Sequence, residues 1–228
     1  MIKKICISAT TVFILLMAFS VAKAQTMFAA DVNGSPIKVT KYTNINGSPY
    51  LSDSWQKGTV LLANGQTFNL DIKYDMIADN LLFKNKNGDS LNFVQPVKEF
   101  KIKSADNDDS QSKLFRNGFP STNVKTSASS FYEVLYDGGT KLLKREAKSL
   151  WKESTTYATA TETQNITQTT DYYIFKDGKM ITVKPNKKAF LSALSNKTAE
   201  LGKYVKDNNI DFKKDSDLIK VVSYYNSL

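Results

Sequence analysis

The chain has 228 residues, 31 of them Lys or Arg against 22 Asp or Glu, with no histidine and a single cysteine, Cys6. Without histidine, Ser-His-Asp and Cys-His nucleophile systems are excluded, as are the common zinc sites that rest on His and Cys. Only two of the bases are arginine, Arg116 and Arg145, and the lysines are scattered along the sequence. A nucleic-acid partner calls for clustered charge and bidentate arginines and is not expected. The lysines read instead as a solvated surface, with weak attraction to anionic polysaccharide or lipid head groups as the other reading.

At the N-terminus, Lys3 and Lys4 precede an apolar run over residues 5–22 that ends in Ala22-Lys23-Ala24, a small-x-small cleavage pattern. Residues 1–24 are therefore read as a signal peptide, cleaved before Gln25. The run contains Ser8, Thr10, Thr11 and Ser20 and is short for crossing roughly 30 Å of hydrocarbon, so no transmembrane anchor is expected after cleavage. Cleavage removes Cys6, leaving no thiol for a disulfide, and the residue at the cleavage point is Gln25 where a lipid anchor needs cysteine. Lys3, Lys4 and Lys23 leave too, so 28 basic residues face 22 acidic ones and the formal charge becomes +6. The expected location is periplasmic or extracellular.

Residues 25–228 are read as a single β-rich domain in three parts. The first, 25–50, is turn-rich: Asn33-Gly34-Ser35-Pro36 and Asn46-Gly47-Ser48-Pro49 repeat a turn-forming tetrapeptide, consistent with loops and one edge strand.

The second part, 51–183, reads as an antiparallel meander. Phe68, Leu70, Ile72 and Tyr74 alternate with Thr67, Asn69, Asp71 and Lys73, the period of a strand with one buried and one wet face. Residues 58–63 lead into Asn64-Gly65, and 80–84 lead into Asn87-Gly88 before Leu91 and Phe93 resume the alternation, both hairpin signals. Phe100 and Ile102 mark another strand. Residues 105–112 break the pattern as an exposed acidic loop. Strands return over 131–136, turn at Asp137-Gly138-Gly139 and continue through Leu142 and Leu143. The threonine-rich stretch 154–170 reads as a long strand or hairpin because of its β-branched content. A last hairpin turns at Asp177-Gly178 between 171–175 and 180–183.

In the third part, 184–228, the period becomes helical: Phe190, Leu191 and Leu194, then Thr198, Leu201, Tyr204 and Val205, then Leu218, Val221, Val222 and Tyr225. Asn186, Ser195 or Asn196, and Asp215 are the expected N-caps. The fold class is thus α+β: a curved sheet or partly open barrel with two to three short helices against one face or end.

The tests for chemistry yield no catalytic, cofactor-binding or metal residues. Ser-x-x-Lys occurs at Ser35/Lys38, Ser54/Lys57, Ser110/Lys113 and Ser149/Lys152, near what chance supplies in so Ser- and Lys-rich a chain, and no Lys-Thr-Gly element accompanies it. Asp106, Asp108 and Asp109 suggest calcium, but Gln111 and Asn117 stand where an EF-hand loop needs glycine and glutamate. Two carboxylates at a set separation would suffice for glycoside hydrolysis; the six glutamates are Glu99, Glu133, Glu146, Glu153, Glu162 and Glu200, none in a segment that reads as a catalytic loop. There is no Gly-rich phosphate loop or dinucleotide fingerprint. Trp55, Trp151, Tyr172-Tyr173 and Tyr224-Tyr225 are core packing or a stacking platform for sugars. Adjacent strand tyrosines point to opposite faces, so one of Tyr172 and Tyr173 faces away from the core or into a second buried layer, a hint of a binding face.

Trp55-x-x-Gly58, Asp71-Ile72-Lys73-Tyr74, Leu82-Phe83-Lys84, Phe115-Arg116-Asn117-Gly118-Phe119, Tyr136-Asp137-Gly138, Leu142-Leu143-Lys144 and Tyr224-Tyr225-Asn226 together resemble, over most of the mature chain, a family of uncharacterised exported proteins of Gram-negative bacteria. The resemblance implies export and one domain; it carries no activity or site residue. In outline the layout also resembles periplasmic lipoprotein carriers, an analogy of fold. The preferred reading is a non-enzymatic envelope or secreted scaffold whose partner is a protein, lipid or glycan. The alternative is a carboxylate-based enzyme such as a glycoside hydrolase. A cleft with two facing carboxylates would favour the enzyme, an apolar tunnel the carrier, and a filled core an interaction role.

Overall fold

The computed structural model describes residues 34–36, 42, 44–103, 112–152 and 164–228. The signal peptide, the acidic loop at 105–111 and the first part of the threonine-rich stretch lie outside them. Twelve described strands form one sheet: β1 (Gly34–Pro36), β2 (Ile45–Asn46), β3 (Gln56–Leu62), β4 (Thr67–Asp75), β5 (Asn80–Lys84), β6 (Ser90–Phe93), β7 (Val97–Ile102), β8 (Lys113–Arg116), β9 (Tyr132–Asp137), β10 (Lys141–Lys152), β11 (Gln164–Lys176) and β12 (Lys179–Val183). Three helices follow, α1 (Lys187–Ala193), α2 (Thr198–Asp207) and α3 (Asp215–Ser227). The sheet order is β1-β6-β5-β4-β3-β7-β8-β9-β10-β11-β12, with β2 parallel to β11 at Gln164 and Asn165. The α+β expectation holds, as an open, curled sheet.

Turn chemistry places the hairpins where the sequence signals them. At Asp177-Gly178 both residues have positive φ (52° and 72°), the two-residue turn whose twist suits antiparallel strands. The N-terminal segment supplies two short strands instead of one. β1 covers the edge of β6, and Tyr42 reaches in to donate a hydrogen bond to Asp75 (2.6 Å).

A simple meander is interrupted after β6, because β7 pairs with β3 and not with its predecessor. Only Val94-Gln95-Pro96 joins β6 to β7, and four Cα steps reach at most about 14 Å. Going across the sheet, β6 lies four strands from β7, about 19 Å at ordinary spacing. The sheet therefore bends so that β6 and β7 approach, and a bulge at Lys98 on β7, opposite the Leu61–Leu62 step of β3, accommodates the bend.

Alternation then fills the inside of the curl. Val60, Phe68, Leu70, Ile72, Tyr74, Leu81, Phe83, Phe100, Ile102, Phe115 and Phe131 are all buried there. Phe100 stacks on Phe115 with centroids 4.7 Å apart and meets Phe131 edge-on at 5.0 Å. These rings pack against one another where an apolar tunnel would need open space. Gly58 is required by this packing, since a Cβ there would fall 2.2 Å from Ile72.

Beyond the curl, β10 and β11 form a ribbon in unbroken register from Lys141↔Phe175 to Lys152↔Gln164, so the described part of the threonine-rich stretch is strand, as its composition suggests. The helices cover one face of the ribbon, where Phe190, Leu194, Leu201, Val205, Leu218, Val221 and Val222 pack on Leu142, Tyr172 and Ile174. Asn226 locks α3 to the β9–β10 turn, accepting from the Thr140 N–H (2.7 Å) and donating to its carbonyl (2.9 Å). Asn186 caps α1 as expected by accepting from the Ala189 N–H. The other two caps differ from expectation. Residues Ser195–Lys197 form a 3-10 turn, so Lys197 precedes α2 without a side-chain cap. Lys214 is the N-cap of α3, and Asp215 instead accepts from Tyr172 (2.7 Å) and Lys144 (2.9 Å), a pull from the ribbon that outweighs capping.

Candidate functional site

The residues that alternate with the curl's core face outward, and cross-strand register gathers them. Lys57 on β3 lies opposite Asp71 on β4, which lies opposite Lys84 on β5, while Thr59 lies opposite Asn69. Lys86 follows in the β5–β6 turn, and Lys103 follows β7, its N–H bonded to the Lys57 carbonyl (2.9 Å). Among the described residues, Lys57, Lys84, Lys86 and Lys103 line a groove of about 580 Å³ with Asn69, Asn85 and one acid, Asp71. Lys57 pairs with Asp71 at 2.8 Å. The lining carries a formal charge of +3, read from four lysines and one aspartate.

Trp55 sits beside this groove, half-buried just ahead of β3. The ammonium groups of Lys73 and Lys84 each lie 5.4 Å from its ring centroid, and Lys73 is also 4.7 Å from the Tyr50 ring. Lys73 is steadied by donating to the Asp53 carbonyl. Such contacts are worth about 0.5–1 kcal/mol at exposed sites, so these long side chains can exchange them for a ligand. The arrangement offers a flat apolar ring flanked by mobile cations, which suits a planar or ring-shaped group carrying negative charge.

The four tyrosine candidates are structural. Tyr172 and Tyr173 do point to opposite faces, and both faces are buried: Tyr172 under the helices, Tyr173 against Tyr132 (5.3 Å) in a second layer with Phe119 and Leu143. The hint of a binding face there is thus answered by the second buried layer. Tyr224 stacks on Tyr204 at 4.1 Å, and Tyr225 is buried with its hydroxyl on Asn196 (2.8 Å). Trp151 is 52% exposed near the far end of the ribbon.

Carboxylates are engaged elsewhere. A second pocket, about 770 Å³, is lined by one acid, Asp79, which accepts hydrogen bonds from the Tyr74 hydroxyl, the Phe131 N–H and Arg145. Glu99 is held by Arg116 (2.6 Å), Glu133 by Lys113 (3.3 Å) and Glu146 by Lys144 (3.4 Å). Neither pocket brings two carboxylates face to face at the 5–10 Å that glycoside hydrolysis uses. Glu153 and Glu162 lie outside the described residues, as do the calcium-like acids and Lys38 and Ser110 of the Ser-x-x-Lys matches. Of the remaining matches, Lys57 is paired with Asp71 while Ser54 contacts Ser52, and the Ser149 hydroxyl is bonded to Thr167. Among the described residues no group of three or more His, Cys, Asp or Glu is placed to hold a metal, and no helix is long and apolar enough to cross a membrane.

Sequence reasoning missed the groove because its lysines come from three separate segments, Lys57, Lys84 with Lys86, and Lys103, that only the register of β3, β4, β5 and β7 brings together. It also missed Asp79–Arg145, for which a signal existed. In a chain with 31 basic residues of which two are arginine, both arginines sit in ion pairs, Arg116 spreading its guanidinium over Glu99 and Asp137 and Arg145 holding Asp79. For Arg116, burial opposes the charge, but the bonds to Glu99 and Asp137 outweigh it and raise the pKa. Burial likewise works against the Asp137 carboxylate, yet bonds from Lys141 and Arg116 hold its pKa below the usual aspartate value.

Compared with known proteins, the chain matches no family model, no curated protein and no solved structure.

Proposed function

We propose that this chain is a non-enzymatic β scaffold, exported to the cell envelope or beyond it, that binds an anionic glycan on the outside of its curl. The observation that carries the reading is the groove of Lys57, Lys84, Lys86 and Lys103 beside the half-buried ring of Trp55. A charged sugar meets both halves of that surface, with its C–H face on the indole and its carboxylate, sulfate or phosphate among the lysines. Lipid fits less well, because the exposed large apolar side chains, Val94, Val124, Trp151, Ile181 and Leu228, are all outside the groove lining. The packed aromatic rings inside the curl argue against a carrier. The engaged carboxylates support binding over hydrolysis. Export is part of the proposal and rests on the order of Lys3, Lys4, the apolar run and Ala22-Lys23-Ala24.

Exposed ion pairs contribute about 0.2–1 kcal/mol each, so four lysines supply only about 1–4 kcal/mol to one sugar unit. Useful affinity must then come from many charged units on one polymer. The test is binding to a polyuronate such as alginate, against neutral dextran, over a range of salt. Lys84→Ala/Lys86→Ala/Lys103→Ala is expected to weaken alginate binding at least tenfold and flatten its salt dependence. The charge-matched control Lys179→Ala/Lys187→Ala/Lys188→Ala should change it little. Equal losses in the two triples, or equal binding of dextran, would refute the groove as the site.

A further inference from the structure

We infer a second, independent binding site for a small molecule bearing a carboxylate or phosphate, in the pocket whose wall is formed by Arg145. The pocket lies between the β4–β5 turn, the β6–β7 link and the loop before β9, and its volume of about 770 Å³ is that of an ordinary small-molecule site. Each wall has a reason to be where it is. Asp75 accepts from the N–H groups of Ile77 and Ala78, folding the β4–β5 turn, and Asp79 follows with φ +53°. Asp79 then receives Arg145 from β10 (Nη2 to Oδ2, 3.0 Å).

The arginine is nine-tenths buried, with 10% of its side chain exposed, and only one side of its fork is used. Nη1 is buried and has no hydrogen-bond partner among the described residues. The one other buried side-chain atom without a partner among the described residues is the Tyr132 hydroxyl. It belongs to the same neighbourhood: burial raises the Tyr132 pKa, while Thr126, close by but outside hydrogen-bonding geometry, and Arg145 pull it partway down. Buried donors left unpaired are expensive, and a fold that keeps the Arg145 donor in the wall of a pocket is organised around an acceptor there. The rim is suited to the rest of such a ligand. Lys125 brings a second positive charge, Thr126, Ser127 and Ser129 bring hydroxyls, and Val94 and Val124 bring exposed apolar surface (57% and 102%). With Asp79 saturated by three donors, an incoming oxyanion meets one compensated acid and two cations.

The site is tested on the isotope-labelled protein by NMR, titrating inorganic phosphate and, separately, acetate. The expected result is saturable, one-to-one shifts at the Arg145 side-chain N–H and the backbone N–H groups of Ser127, Ser129 and Ser130. Saturation with phosphate alone assigns a phosphate group, with acetate alone a carboxylate, and with both a general oxyanion site. Arg145→Lys keeps a cation for Asp79 but loses the fork, and should weaken binding at least tenfold. Lys125→Ala/Ser129→Ala, confined to the exposed rim, should weaken it severalfold and decides the matter if the first variant fails to fold. The groove triple at Lys84, Lys86 and Lys103 should leave it unchanged. Absence of saturation with both probes, or shifts that survive the rim variant at full affinity, would overturn the site.

Discussion

The curl of β3 to β8 and the ribbon of β9 to β12 belong to one sheet but bury their strands differently. In the curl, one face of each strand packs inward and the other meets water, so Phe68, Leu70, Ile72 and Tyr74 are buried while Thr67 and Asn69 are exposed and Asp71 and Lys73 half-exposed. In the ribbon, helices press on one face and Phe119 with Tyr132 on the other, so neighbours such as Leu142 and Leu143, or Tyr172 and Tyr173, are buried back to back. A face that has no packing to do is free to carry charge, and the lysine groove is found on the curl. Where it meets the helices, around Leu142, Leu143, Tyr172 and Tyr173, the ribbon spends both faces on structure, and its ionic contacts, such as Lys144 with Asp215 and Glu146, tie elements together.

If the two regions hold separate cores, their losses should add. Phe100→Ala in the curl and Phe190→Ala under the helices each remove a fully buried ring and should cost about 3–5 kcal/mol. The double variant in denaturant unfolding should equal the sum within about 0.5 kcal/mol. A large coupling would mean that the two clusters act as one core and would break the comparison.

A second, smaller effect probes the ribbon by pH. Burial, reinforced by the bond to Asp215, pushes Tyr172 up to about 12; burial with nearby Asp171 and Tyr132 pushes Tyr173 up to about 12. The folded chain holds these protons more tightly than the unfolded chain, whose tyrosines titrate near 10. Their stabilising contribution is therefore complete below about pH 10 and is lost as the pH rises from there through 12. Ultraviolet tyrosinate absorbance should show Tyr172 and Tyr173 ionising only as helical circular dichroism disappears. Titration of all tyrosines near pH 10 with the helices intact would show that the ribbon is open to solvent.

The smallest effect sharpens how the helices are attached. Asn186→Ala removes the cap on the Ala189 N–H and should cost about 1 kcal/mol, whereas Asn186→Gly should cost only a few tenths. Equal stability of all three proteins would indicate that α1 is held by Phe190 alone.

The same contrast explains what could be read from sequence. In the curl, period two survives because one face is wet, so the strand over Thr67 to Tyr74 and the turns at Asn64-Gly65 and Asn87-Gly88 are legible. In the ribbon, Tyr172, Tyr173 and Ile174 form a continuous apolar run, and such a run does not say which face meets which layer. The return of β7 to β3 was hidden for another reason: it pairs Phe100 with Val60, residues whose local sequence carries no mark of each other. Asp215 was read as a cap from local pattern, but Lys144 and Tyr172, distant in sequence, claim its carboxylate. The groove shares that non-local origin, and its lysines look scattered until the register is known.

The most direct measurement is an NMR map of the protein titrated with an alginate oligomer at low salt. Binding on the curl predicts shifts concentrated at Lys57, Lys84, Lys86, Lys103 and the Trp55 indole N–H, fading as salt is raised, with α1 to α3 silent. Shifts centred on the helices, or none at saturating oligomer, would contradict it.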